Sequence, residues 1–239
     1  MPTPFEVLAF DADDTLWDNE HLYLRAEQHL LELLQPYCPP TQTAAILHRI
    51  DIANLPDFGY GIKAYTLSMI ETALQASAGR ITASELLQVV DLAREMLHAP
   101  VELLPHAQEC VQALSQTHSL MLITKGDAHD QAAKLDRSGL RPYFSQVEIV
   151  ADKTQAVYAD IFKRHRLPAE RVLMVGNSLR SDILPVIELG GQAVYVPYWN
   201  TWAHENTPPS EHHAGRFHQI EHLGELAILV AVLELGRLV

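Results

Sequence analysis

Five short apolar runs, each followed by polar residues and separated by stretches of helical periodicity, constrain this chain more than any other feature. They are Phe5–Phe10, Leu120–Ile123, Val147–Val150, Val172–Val175 and Ala193–Val196. Runs of this length without polar alternation suit strands buried on both faces. Helical patterns fall between them at Ala107–Ser115, Asp130–Arg137, Gln155–Arg164 and Ser181–Leu189, with Gly139 and Gly190 as stop signals. Strands alternating with helices predict an α/β fold, a doubly wound parallel sheet of Rossmann-like type.

The alternation stops between Trp17 and Pro100, a stretch too long for an unstructured connection inside a compact domain. Its patterns predict helices at His21–Leu34, Thr41–Ile52, Ile62–Ala76 and Ala83–Leu97, punctuated by Pro36, Pro39, Pro40, Pro56 and Gly79. The expected organisation is therefore a core of residues 1–17 and 101–239, with an inserted helical domain over 18–100. The tail divides into a polar, His-rich stretch from Trp199 to His222 and an apolar helix from Leu223 to Leu238. That helix is expected to pack on the parent domain, the alternative being a dimer contact, so monomer and homodimer both stay open. The tail histidines, His204, His212, His213, His218 and His222, are irregularly spaced and expected to be solvated rather than metal-binding.

Composition narrows the partners. Lys and Arg total 17 against 30 Asp and Glu, so the surface field repels an extended polyanion and no nucleic-acid partner is expected. A small anion remains compatible, because amides, lysines and a metal can reverse the field locally. Cys38 and Cys110 lack metal-ligand spacing and indicate no disulfide framework. Met1 leads directly into an apolar strand and an acidic cluster, without the pattern of a signal peptide, and no run is long enough to span a membrane. A cytoplasmic protein without membrane contact is the expectation.

In open parallel sheets, ligands bind beyond the carboxyl ends of the strands. The first run ends in FDADDTLWD, which places Asp11 and Asp13 two residues apart, with Asp14 lying between this pair and Thr15. Taken singly, an Asp at a strand end is commonly a turn or cap residue. Three acids desolvated together repel strongly unless a cation lies among them, so a hard, oxygen-liking cation is implied. The second run ends in LITKGD, where the Thr124 hydroxyl and the N–H groups of Lys125, Gly126 and Asp127 offer a phosphate seat at a helix start. After the third run Lys153 opens a helix, where the dipole disfavours a cation and a negative partner would explain it. After the fourth comes VGNSLRSDILP, with Gly176, Asn177 and Asp182.

These four segments, in this order, resemble the motifs of the haloacid dehalogenase-like (HAD) hydrolases. FDADDTL is similar to the first motif, Thr124 stands at the Thr or Ser of the second, Lys153 matches the third, and Gly176, Asn177 and Asp182 match the fourth. The inserted helices resemble the family's type I cap. The resemblance implies a magnesium-dependent phosphatase acting on a small phosphorylated metabolite. Asp11 would be the nucleophile that forms an aspartyl phosphate, and Asp13 the general acid and then base. Mg2+ would be held by Asp11, the Asp13 carbonyl and Asp182, with Asn177 as a weaker contact through water. Thr124 and Lys153 would bind the phosphoryl oxygens, with Ala12, Lys125 and Gly126 lining the same seat. Asp14 replaces a common Gly, Lys125 a common Asn, and Asn177 an acid. Dehalogenases of the family lack the acid two residues after the nucleophile, so Asp13 favours phosphate chemistry. A phosphomutase uses the same residues, and a weakly active binding protein of the same fold is a further alternative. In the insert, PDFGYGIKAY places Tyr60 and Lys63 where they could reach a substrate, although an interhelical turn with a solvent-facing lysine is the simpler account of them.

Overall fold

The structure, a computed structural model, describes residues 5–200 and 215–236. Among them the strands, in chain order, are β1 (Val7–Phe10), β2 (Trp17–Asp18), β3 (Glu102–Leu103), β4 (Ser119–Lys125), β5 (Gln146–Val150), β6 (Val172–Gly176), β7 (Gln192–Tyr195) and β8 (Phe217–Gln219). Six of them form one sheet in the order β5-β4-β1-β6-β7-β8, and every neighbouring pair is parallel. Numbered by appearance within this sheet, the order is 3-2-1-4-5-6, the doubly wound arrangement. The chain runs outward from β1 on one side, returns, and runs outward on the other. The crevice at that reversal lies beyond the carboxyl end of β1.

Both faces of the sheet are covered, which accounts for runs without alternation. In β1, Leu8 and Phe10 enter one apolar cluster while Val7 and Ala9 enter the other. β4 divides its residues in the same way, with Leu120 and Leu122 against Met121 and Ile123, as does β6, with Leu173 and Val175 against Val172 and Met174. A one-residue slip of any of these strands would exchange its two faces, so the register is firmly specified. In that register Phe10 of β1 lies opposite Leu122 and Val175, which aligns the strand ends.

The helices are α1 (Glu20–Leu34), α2 (Pro40–Phe58), α3 (Ile62–Ala76), α4 (Ala83–His98), α5 (Ala107–Leu114), α6 (Ala128–Arg137), α7 (Gln155–His165), α8 (Leu184–Glu188) and α9 (Leu226–Gly236). The chain divides into two compact units, Met1–Asp18 with Val101–Val239, and Asn19–Pro100. Asp18 falls with the sheet unit because β2 pairs with β3, a two-residue ribbon too short to leave a sequence signal. The second unit is the four-helix assembly α1–α4. It has its own core, in which Ala26, Leu30 and Leu34 at four-residue spacing meet Leu47, Met69, Val89 and Met96. α4 opens with a capping box: Thr82 Oγ1 accepts from Glu85 N–H at 3.2 Å, and Glu85 Oε2 accepts from Thr82 N–H at 2.7 Å. α2 runs six residues past its expected end at Ile52. Pro56 removes only one bond near the end of that helix, and Gly59 at φ 72° then closes it.

Two features of the tail differ from expectation. β8 lies inside the stretch read as polar loop; as a three-residue edge strand it has no apolar run to betray it. The terminal helix begins at Leu226 rather than Leu223, after a single 3-10 turn. It lies against α5 through Leu226 and Val230, while Ile228 (71% exposed) and Leu235 (66%) face outward. His218 contacts the Gln192 side chain at 3.2 Å and the His222 ring lies against that of His106 at a tilt, whereas His204, His212 and His213 lie outside the described residues. No helix among the described residues is long and apolar enough to cross a membrane.

Candidate active site

Asp11 is the first residue past β1, and a tight turn follows it. The Ala12 carbonyl accepts from the N–H groups of Leu16 at 2.8 Å and Thr15 at 3.2 Å. Asp14 takes a left-handed conformation, φ 60°, and donates its N–H to the Trp17 carbonyl at 2.7 Å. Aspartate tolerates this region better than most residues do, which is how it stands where the family often has Gly. The turn brings Thr15 back to Asp11: its hydroxyl lies 2.9 Å from Asp11 Oδ2 and 3.3 Å from Asn177 Oδ1, and accepts from Asn177 N–H at 3.1 Å.

Lys153 comes from the loop after β5, just before Thr154 caps α7. Its ammonium is buried, bonded to Asp11 Oδ1 and, at 2.7 Å, to Asp182 Oδ1. This is the negative partner that its place in the sequence called for. Burial works against the charge on Lys153, but the two carboxylates outweigh it and hold the ammonium above the usual lysine range. Asp182, wholly buried, is pushed up by that burial and by the Asp11 charge, against the pull of Lys153.

Asp182 stands in a single π-helical turn, Leu179–Ile183, leading into α8. The widened turn aims its carboxylate back at the sheet, where Oδ2 accepts from Ser178 N–H at 3.0 Å. Gly176 makes this possible, since a methyl group on its Cα would overlap the Asp182 carboxylate.

Thr124 is buried one residue before the end of β4, where it lies opposite Ile149 of β5. Lys125 reaches across to Ser181 Oγ at 3.0 Å. Gly126 corrects the sequence reading of the phosphate seat. Its N–H donates to the Val150 carbonyl at 3.0 Å, because the chain leaving β4 stays paired to the end of β5, so that N–H is committed to the sheet. The α6 N-terminus is capped by Asp127, which accepts from Asp130 N–H at 2.9 Å.

Asp13 turns toward α6. Its carboxylate accepts from the Trp17 indole at 2.6 Å, from Gln131 Nε2 at 2.7 Å, and from Lys134 Nζ at 2.7 and 2.8 Å. Burial alone would raise this carboxyl, but the Lys134 ammonium and the three donors outweigh it and hold it below the usual aspartate range.

Direct contacts thus bring together Asp11, Thr15, Lys153, Asn177 and Asp182, with Thr124 and Lys125 on the adjoining strand end. Tyr60 and Lys63 lie in the helical unit, Tyr60 half-buried before α3 and Lys63 exposed in its first turn. Sequence reading assigned no role to Thr15, Trp17, Gln131, Lys134 or Ser181. Thr15 was visible in the first motif; Gln131 and Lys134, three apart on α6, were visible only as polar residues on a helix.

The donors fit a hard cation. Asp11 and Asp182 share one ammonium, which leaves one negative charge among buried groups, and the atoms nearby are carboxylate, amide and hydroxyl oxygens. Among the described residues no three acids, histidines or cysteines gather into a metal cluster, so a cation here would draw on amide, carbonyl and water oxygens as well.

A parallel sheet in doubly wound order thus carries an acid beyond β1, a buried lysine beyond β5 and a second acid beyond β6, joined by direct ion pairs. A model of the haloacid dehalogenase-like hydrolases matches residues 5–190, and the chain belongs to that family. A haloacid dehalogenase-like family hydrolase from Xanthomonas campestris superposes with a TM-score of 0.87 at 35% identity, covering 99% of this chain and 96% of that one. The 5-amino-6-(5-phospho-D-ribitylamino)uracil phosphatase YigB of Escherichia coli (strain K12) is 24% identical over 79% of this chain and 82% of its own. The putative HAD-hydrolase YfnB from Bacillus subtilis, whose structure is bound to magnesium, shares the fold at a TM-score of 0.64 and 21% identity, covering 95% of this chain and 98% of its own.

Proposed function

We propose that the chain is a magnesium-dependent phosphatase that hydrolyses a small phosphomonoester through an aspartyl phosphate on Asp11. The observation that carries this reading is the buried Lys153 ammonium held between Asp11 and Asp182 at the carboxyl end of the sheet. Lys153 neutralises a carboxylate that must approach an anion as an anion, and Thr15 fixes the orientation of its second oxygen. Attack by Asp11 on phosphorus would expel the alcohol, and Asp13 would give that alcohol its proton and then take one from water. Thr124 and Lys153 would hold the phosphoryl oxygens, with Ala12 and Lys125 beside them. Magnesium would be held by Asp11, Asp182 and the Asp13 carbonyl, with Asn177 nearby, and when bound there would neutralise charge building on the phosphoryl oxygens.

The acidic balance of the chain, 30 against 17, supports a small substrate over a nucleic acid. The buried free thiols of Cys38 and Cys110 support a reducing, cytoplasmic location. A panel of phosphorylated metabolites, including the phosphoribitylamino-uracil named for the E. coli relative, tests the reading by magnesium-dependent release of phosphate. Release without a bisphosphate activator separates a phosphatase from a phosphomutase.

Activity is expected to vanish with chelator and return with magnesium. Asp182→Ala should raise the magnesium needed for half-activity about tenfold more than Asn177→Ala does, since it removes a buried charge and the other only an amide. Magnesium titrations of both variants check this; equal effects would show that Asn177 ligates as strongly as Asp182.

A further inference from the structure

An ionised carboxylate has two oxygens and about four acceptor positions. Asp13 fills all of them. Oδ1 accepts from the Trp17 indole and Lys134 Nζ, and Oδ2 from Gln131 Nε2 and Lys134 Nζ, every distance between 2.6 and 2.8 Å. The donors are themselves fixed. Trp17, Gln131 and Lys134 are buried, and the Gln131 amide nitrogen also donates to the Lys125 carbonyl at 2.9 Å. Gln131 holds this position while its own Oε1 stays buried without a hydrogen-bond partner, an arrangement that a residue serving only to pack would avoid.

A general acid must have a proton to give, and a general base must have a free lone pair. In this arrangement Asp13 has neither, so it cannot serve a leaving group or a water until at least one of these bonds is exchanged. We infer that Trp17, Gln131 and Lys134 form a holding site for the Asp13 carboxylate, and that Lys134, bonded to both oxygens, is the positioning residue that sets how readily Asp13 leaves it. The inference rests on the reading of Asp13 as the proton-transfer residue. It makes α6, which carries none of the four motifs, part of the control of the reaction, and it keeps the acid-base group disengaged until a phosphoryl group arrives.

The Trp17 indole N–H reports directly on this site. The chain has three tryptophans, Trp17, Trp199 and Trp202, so the full-length 15N-labelled protein gives few indole signals, and Trp17→Phe identifies the one required. Asp13→Ala supplies the reference for an indole without its carboxylate. Magnesium with beryllofluoride, a mimic of the phosphoryl group on a carboxylate, is expected to move the Trp17 signal upfield toward that reference. Lys134→Met should show part of that shift with no ligand present, and should raise the single-turnover rate with an alkyl phosphate more than with p-nitrophenyl phosphate. If Lys134→Met does not fold, Gln131→Met carries the same measurements. A Trp17 signal unmoved by beryllofluoride, or rates that change equally for both substrates, would overturn the holding site. Failure of beryllofluoride to bind, or an Asp13→Asn variant that slows both substrates equally, would instead remove the underlying reading and the holding site with it.

Discussion

Asp11→Asn is expected to lose activity by on the order of 10,000-fold or more while remaining folded, because the carboxylate is the group consumed in the first chemical step. The environment of Asp11 explains why the fold should survive. Lys153 serves two carboxylates at once, so the buried trio carries one uncompensated negative charge. The amide of Asn keeps an oxygen for the Thr15 hydroxyl and leaves Lys153 paired one-to-one with Asp182. Thermal unfolding should therefore occur no lower than in the wild type. Phosphate release together with a melting curve checks both halves; substantial turnover by a folded Asn variant would end the covalent mechanism.

For Asp13→Asn the expected damage depends on the leaving group. An alkyl alcohol needs a proton as its bond to phosphorus breaks, and general acid catalysis contributes roughly 100- to 10,000-fold, whereas nitrophenolate departs unaided. Formation of the aspartyl phosphate should slow by that order for alkyl phosphates and far less for p-nitrophenyl phosphate. Hydrolysis of the intermediate should be slow for both, since the same carboxylate activates water. With p-nitrophenyl phosphate the variant should then show a burst of nitrophenolate followed by a slow steady state. The substitution also strips Lys134 of its closest counter-charge; breaking a buried pair costs about 3–5 kcal/mol, offset in part by Asp130, 3.9 Å from the same ammonium. A melting curve must accompany the burst, so that lost protein is not read as lost chemistry. Burst rates that fall equally for both substrates would make Asp13 a structural or metal-orienting residue.

The sheet was legible because its strands are buried on both faces, and an apolar run such as Leu120–Ile123 has no other economical use in a chain of this composition. β8 was not, because an edge strand of three residues needs no apolar run. The residues of the four motifs were legible as chemistry, since acids and a lysine at strand ends are costly to desolvate without reason. Their partners were less so. Gln131 and Lys134 share a helix face by simple periodicity, but nothing in the sequence says that this face meets Asp13, because that depends on how α6 rolls against the sheet. The commitment of the Gly126 N–H to β5 was hidden for the same reason: the end of a ladder is set by pairing between strands that lie far apart in sequence.

The β2–β3 ribbon gives the molecule a modular joint. Trp17 pairs with Leu103 and Asp18 with Glu102, so the points where the chain leaves and re-enters the sheet unit are neighbours across an antiparallel pair. Topologically the whole of Asn19–Pro100 is the turn of a two-residue hairpin. Closing a loop grows costlier only with the logarithm of its length, and this loop has a hydrophobic core of its own to offset that cost. A helical unit of different length or sequence could be spliced between the same two strands without altering the spacing of Asp11, Lys153 and Asp182. Over evolutionary time the helical unit can thus be exchanged as a cassette, while the strand ends that carry Asp11, Lys153 and Asp182 never have to be rebuilt.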